Sequence, residues 1–227
     1  SLHPCGVALG YFPDRTFDHA RRIPQGFGVA DLAHEGLMFE GGTIPLLGHG
    51  MMNPLAGSAY TRFVENYQHT AYFGFMIRDT SRGRVRPGPH PDFPLITYWM
   101  NNTDLTLFKR GIRELCRMYL AAGAEEVMIP GLRQMAVARN EKEVDDWLAK
   151  ARSPRDFTIT AYHPLGTCQM GASTALGVTD SSHQVFGKEG LYVMDGSSVP
   201  GPLGVNPQVT IMALATRGAR KLGMKLA

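Results

Sequence analysis

The stretch Leu191-Tyr192-Val193-Met194-Asp195-Gly196-Ser197-Ser198-Val199-Pro200, running on through Gly204-Val205-Asn206-Pro207-Gln208-Val209-Thr210, decides how the chain is read. The apolar run from Leu191 to Met194 predicts a buried strand ending at Asp195. A Gly/Pro loop then leads to Asn206-Pro207. Proline is favoured at the first position of a helix, where its missing N–H costs nothing, so a helix is expected from Pro207 to about Lys221. It presents Val209, Met212, Ala213 and Thr216 and carries few charges before Arg217. Strand, glycine loop and helix start therefore meet at one point. The free N–H groups and positive dipole end of such a start suit it to holding negative charge.

Upstream lies Tyr162-His163-Pro164-Leu165-Gly166-Thr167-Cys168-Gln169-Met170-Gly171. Together the two segments resemble the C-terminal signature of the glucose–methanol–choline (GMC) flavoprotein oxidoreductases. The first is similar to the family's His-Pro-x-Gly-Thr-Cys-x-Met-Gly element, the second to its Leu-x-Val-x-Asp-[Ala/Gly]-Ser…Pro…Asn-Pro element. The form Asp-Gly-Ser-x-x-Pro-x-x-x-Gly-Val-Asn-Pro resembles the cholesterol-oxidase and long-chain-alcohol-oxidase branches. The opening Leu2-His3-Pro4 with Leu9-Gly10-Tyr11-Phe12 is similar to the start of the fatty-alcohol substrate region.

The resemblance implies FAD as cofactor and an alcohol as substrate, oxidised to aldehyde or ketone by hydride transfer to the flavin. His163 is then the catalytic base, since a histidine titrates near working pH and can take the hydroxyl proton. Asn206 is its partner, orienting the substrate oxygen without titrating, although asparagine also suits a helix N-cap. Asp195 and Gly196 are expected near the ribityl or pyrophosphate part of the flavin. The backbone of Pro207, Gln208 and Val209 is expected near its pyrimidine end. Taken alone, Asp195 reads as a residue that turns the chain after a strand. No histidine pair has metal-ligand spacing, so no metal is expected.

The chain departs from the family pattern in one respect. A Gly-x-Gly-x-x-Gly dinucleotide fingerprint is absent: Gly48-x-Gly50 is followed by Met51, Met52 and Asn53, with no third glycine in place. The expectation is an α+β chain in two parts. Residues 1–160 form an antiparallel-sheet substrate or cap region with packed helices. Residues 161–227 carry the His163 loop and the C-terminal strand and helix of a Rossmann-type FAD domain whose N-terminal part is missing. That part is the expected partner, fused or separate, and the start Ser1-Leu2-His3-Pro4 reads as a piece of a longer protein. An exposed apolar surface around Leu191–Met194 and Val209–Ala215 follows from the missing cover.

Upstream of residue 160, Gly6–Phe12, Thr70–Ile77 and Leu95–Trp99 lean towards strand. Asp79–Gly83 before Arg84-Val85-Arg86 reads as a turn between two antiparallel strands. Gly41–Gly57 reads as a loop. Asp104 is the expected N-cap of a helix marked by Phe108, Ile112, Leu115, Cys116, Tyr119 and Leu120 and stopped at Gly123. Asn140 to Glu143 opens a second helix that buries Val144, Trp147 and Leu148 and ends at Ser153-Pro154. Met51, Met52, Phe73, Phe75, Met76 and Trp99 bias the substrate towards apolar alcohols, sterol or long-chain.

The 227 residues include 44% hydrophobic and 19% charged residues, which suits a folded body. With 23 basic against 20 acidic residues the net charge is +3, and the scattered basic residues do not point to nucleic acid. No run approaches the ~20 apolar residues of a membrane span. Cys5, Cys116 and Cys168 are far apart and contain no C-x-x-C pair, so zinc and thioredoxin-type chemistry are excluded. They read as reduced thiols in a cytoplasmic protein, with a Cys5–Cys168 bridge left open. A serine hydrolase built on Ser197 or Ser198 with His163 and Asp195 lacks the Gly-x-Ser-x-Gly elbow. A non-catalytic module that binds a ligand or partner is the other alternative.

Overall fold

A computed structural model describes residues 1–19, 21, 25–51 and 55–226; Met52 and Asn53 lie outside them. The elements in chain order are β1 (Cys5–Tyr11), β2 (Gly28–Val29), β3 (Leu37–Gly42), α1 (Leu46–Met51), α2 (Gly57–Glu65), β4 (Thr70–Ile77), β5 (Arg84–His90) and β6 (Phe93–Thr97). They continue as α3 (Asn102–Ala121), β7 (Glu126–Pro130), β8 (Met135–Ala138), α4 (Glu141–Lys150) and α5 (Gln208–Leu226). The chain forms two compact units, both discontinuous: Pro4–Ile77 with Asn102–Thr160, and Ser1–His3 with Arg78–Asn101 and Ala161–Ala227.

The first unit is an antiparallel sheet in the order β2-β3-β4-β1-β7-β8. β1 is central, pairing Cys5 with Met76 through Tyr11 with Thr70 on one side and Leu9 with Met128 on the other. α3 covers the sheet because its apolar residues recur at helical spacing, burying Phe108, Ile112, Leu115, Cys116 and Tyr119. Each such large side chain, fully buried, contributes about 1.5–3 kcal/mol over its exposed state. Close approach depends on missing side chains. A Cβ on Gly10 would lie 2.4 Å from the Tyr119 ring, and one on Gly111 would lie 2.4 Å from Phe75. The Tyr119 hydroxyl is shared between the carbonyls of Ala8 (3.1 Å) and Ala71 (3.2 Å), which satisfies it in the core. Burial pushes the Cys116 thiol up to about 12.

The mixed α/β architecture with an antiparallel sheet agrees with expectation, as do the strand Thr70–Ile77 and the α4 start. There Asn140 Oδ1 accepts from Glu143 N at 3.0 Å. Four expectations need correction. α3 opens at Asn102, so Asp104 is not its cap but a buried residue of its first turn, where a carboxylate suits the dipole. Gly41–Gly57 is not all loop: α1 forms there because His49 is buried and stacks on Phe63 at 3.8 Å, outweighing the glycines. Asp79–Gly83 does not turn between paired strands, since β4 pairs with β1 and β3 while β5 pairs with β6.

The fourth correction concerns the second unit. Leu191–Met194 is not a strand; Tyr192 makes a single antiparallel bridge to Gln184. A strand needs a continuous ladder, whereas among the described residues this stretch pairs only with 183–185, through Val185 N to the Leu191 carbonyl and Val193 N to the His183 carbonyl. The unit contains the β5–β6 hairpin, looped segments through residue 207, and α5. Val209 is 74% exposed and Met212 53%, while Gly218 packs under His183 and Met194. Of the residues read as substrate-facing, Phe75 and Met76 are core, Phe73 is half-buried, and Met51 and Trp99 are exposed.

Candidate active site

The two motif segments are joined through their main chains. The N–H groups of Gly166, Cys168 and Met170 donate to the carbonyls of Gly196, Ser197 and Ser198 at 3.3, 2.9 and 2.9 Å. Alternate residues of one segment thus bond three successive residues of a 3-10 turn, Gly196–Ser198. Asp195 caps that turn: its Oδ1 accepts from Ser197 N at 2.7 Å and from Ser197 Oγ at 2.5 Å. Ser198 Oγ is buried and donates to the Asp195 carbonyl at 2.8 Å. These hydroxyls bond within the turn. Gly196 packs tightly, since a Cβ would lie 3.1 Å from Ile211 Cδ1 and 3.2 Å from Leu165 Cδ2.

α5 begins against this turn. The Pro207 carbonyl accepts from Ile211 N at 2.9 Å, closing the first helical turn. Pro207 is buried, whereas Asn206, Gln208 and Val209 are exposed, and the first turn contains no acidic residue. Its N–H end is therefore uncompensated within the helix.

His163 is half-buried in the same unit. Its Nδ1 is buried and has no hydrogen-bond partner. Burial, and then the neighbouring His3, hold its imidazole below the usual histidine range, so the ring is neutral and able to accept a proton at neutral pH. The His3 ring stands edge-on to it at 6.0 Å. A cavity of about 420 Å³ adjoins the segment, lined among others by Pro164, Leu165, Thr167, Tyr98 and Pro200. Among the described residues no three His, Cys, Asp or Glu side chains converge as a metal set, and all three cysteines are free thiols. No helix is long and apolar enough to cross a membrane among those residues.

Two residues of the site escaped sequence reasoning. His3 is fully buried, with Nδ1 3.1 Å from the His163 carbonyl and Nε2 2.8 and 3.1 Å from the amide nitrogens of Leu203 and Gly204. Asp79 is buried beneath it, accepting from the amides of Leu2 (3.1 Å) and His3 (3.2 Å) and from Tyr98 Oη (2.9 Å). The only signal for His3 was its place in Leu2-His3-Pro4, since a lone histidine shows no spacing pattern.

Residues 79–215, which include both motif segments, match the family model described as GMC oxidoreductase. The chain belongs to the GMC oxidoreductase family. An uncharacterized GMC-type oxidoreductase of Mycobacterium tuberculosis is 32% identical over 219 residues, covering 95% of this chain and 34% of that protein. A long-chain-alcohol oxidase of Arabidopsis thaliana is 28% identical over 248 residues, covering 94% and 31%. The pyridoxine 4-oxidase structure from "Mesorbium loti" superposes on 96% of this chain and 42% of its own with a TM-score of 0.61 at 20% identity, a likeness of fold. This GMC oxidoreductase chain spans about a third of the length of the curated relatives it matches.

Proposed function

We propose that this chain is the C-terminal portion of an FAD-dependent alcohol oxidase or dehydrogenase, inactive until a flavin-binding portion joins it. The observation that supports the reading is the Gly166–Met170 ladder onto Gly196–Ser198, in the unit that also contains a neutral, half-buried His163 and the start of α5. His163 takes the hydroxyl proton of the alcohol. Asn206, at the mouth of α5, donates to the substrate oxygen and orients the carbinol C–H. The chemistry that bound flavin supplies is acceptance of the hydride from that carbon.

The residues present fit such a cofactor. The α5 N-terminus is exposed and free of acidic side chains, as a site for an electron-rich ring edge or phosphate requires. Gly196 lets the turn pack closely on Leu165 and Ile211, which holds the His163 segment against the start of α5. Asp195, Gly196, Asn206, Pro207, Gln208 and Val209 would hold it. The exposed Val209 and Met212 on α5 support cover by a further portion of protein.

A long-chain alcohol is the substrate class favoured, on the strength of the Arabidopsis relative's name, with a sterol as second choice. A reduced, cytoplasmic setting suits the three free thiols. The test is co-production with a fingerprint-bearing flavin portion. A yellow complex bleached by a long-chain primary alcohol under anaerobic conditions supports the reading. A complex that binds no flavin, or flavin that no alcohol reduces, contradicts it.

A further inference from the structure

We propose that His3 is a positioning residue, a neutral imidazole clamp that fixes the main chain of His163 relative to the Leu203–Gly204 loop leading into Asn206. The geometry determines its protonation. Two amide nitrogens, of Leu203 and Gly204, converge on Nε2 at 2.8 and 3.1 Å. Both are donors, so Nε2 must present its lone pair. The proton therefore sits on Nδ1, which donates to the His163 carbonyl at 3.1 Å. One rigid ring thus joins two segments forty residues apart in sequence, one carrying the proposed base and the other running into Asn206 two residues later.

The clamp is itself held. The carboxylate of Asp79 accepts from the amides of Leu2 and His3, and Tyr98 Oη donates to the same carboxylate. Gly204 takes a left-handed φ of +78°, and a Cβ there would meet the Arg78 side chain at 3.1 Å, so its amide is turned towards His3 without a competing side chain. Burial disfavours the imidazolium of His3, in keeping with a ring that accepts at one nitrogen. Small displacements of a catalytic group are costly, since about 1 Å of misplacement can lower a rate ~100-fold.

The catalytic consequence rests on the proposed function, whereas the clamp does not, and the experiment separates them. In the 227-residue chain labelled with ¹⁵N, the His3 ring is expected as the Nδ1-protonated tautomer at neutral pH. Either the Nε2-protonated tautomer or the imidazolium would overturn the proposal. His3→Asn retains a donor near the Nδ1 position and His3→Gln an acceptor near the Nε2 position. The expectation is that His3→Asn moves the Leu203 and Gly204 amide resonances more than those around His163, and His3→Gln the reverse. Equal or absent shifts in folded variants would overturn it, and the tautomer measurement stands if a variant fails to fold. In the flavin-loaded enzyme, both variants should lower kcat about 10-fold to 100-fold with KM changed about 3-fold at most. A full kcat in variants that show the amide shifts would reject the positioning role. Absence of alcohol oxidation in the unsubstituted enzyme as well would reject the proposed function and leave the clamp intact.

Discussion

Gly166 donates its N–H to the carbonyl of Gly196 at 3.3 Å, and both residues are glycine for steric reasons. Gly166 has a φ of +87°, which side-chain-bearing residues rarely adopt. A Cβ on Gly196 would press on Ile211 Cδ1 at 3.1 Å and Leu165 Cδ2 at 3.2 Å, so a side chain there makes the neighbours between the His163 segment and α5 shift. Gly196→Val is expected to destabilise the chain by about 1–3 kcal/mol through overpacking. Urea denaturation measures this, and an unchanged midpoint would contradict the packing described.

Asn140 caps α4 through its side-chain oxygen, and the Glu143 carboxylate accepts in turn from the Arg139 amide at 2.8 Å. Asn140→Ala is expected to cost about 1 kcal/mol. For a chain of this size that corresponds to a fall in Tm of roughly 2–4 °C, read by circular dichroism. A smaller fall for Asn140→Asp, which retains the accepting oxygen, would confirm the cap.

The shape of the fold was legible where one local pattern dominates. The period of Phe108, Ile112, Leu115 and Tyr119 gave α3, and the Asn140–Glu143 pair gave the start of α4. Leu191–Met194 misled because an apolar run specifies burial but not a partner strand. Asp79–Gly83 misled because turn residues do not say which strands they join. In the site, both motifs could be read as residues, yet the ladder between them could not, since hydrogen bonds between main chains leave no trace in side-chain identity. His3 was invisible for a related reason: its ring bonds two amides and a carbonyl, which any residue supplies.

His3, His49 and His163 all titrate below the ordinary histidine value of 6.5, in each case because burial disfavours the charged ring. The unfolded chain binds protons near that value and the folded chain binds them only at lower pH. Stability from these groups is therefore complete above the unfolded pKa and is lost as pH falls towards the folded values. Denaturation midpoints should drop between about pH 7.5 and pH 5. A midpoint that held or rose across that window would contradict the burial of these rings.

Asn206 is exposed at the start of α5. In the flavin-loaded enzyme Asn206→Asp should slow alcohol-driven flavin reduction more than Asn206→Ala. A carboxylate there opposes the negative charge that builds on reduction, whereas alanine only loses an orienting hydrogen bond. Stopped-flow absorbance gives the two rates, and the reverse order would rule out a polar contact at this position.

The most direct test of the account is the rate of flavin reduction by alcohol in His163→Ala, with flavin content matched to that of the unsubstituted enzyme. Loss of a general base predicts a rate lower by about 10²-fold or more, with FAD retained. A variant that keeps its flavin and reduces it with alcohol at the unsubstituted rate would show that His163 is not the base.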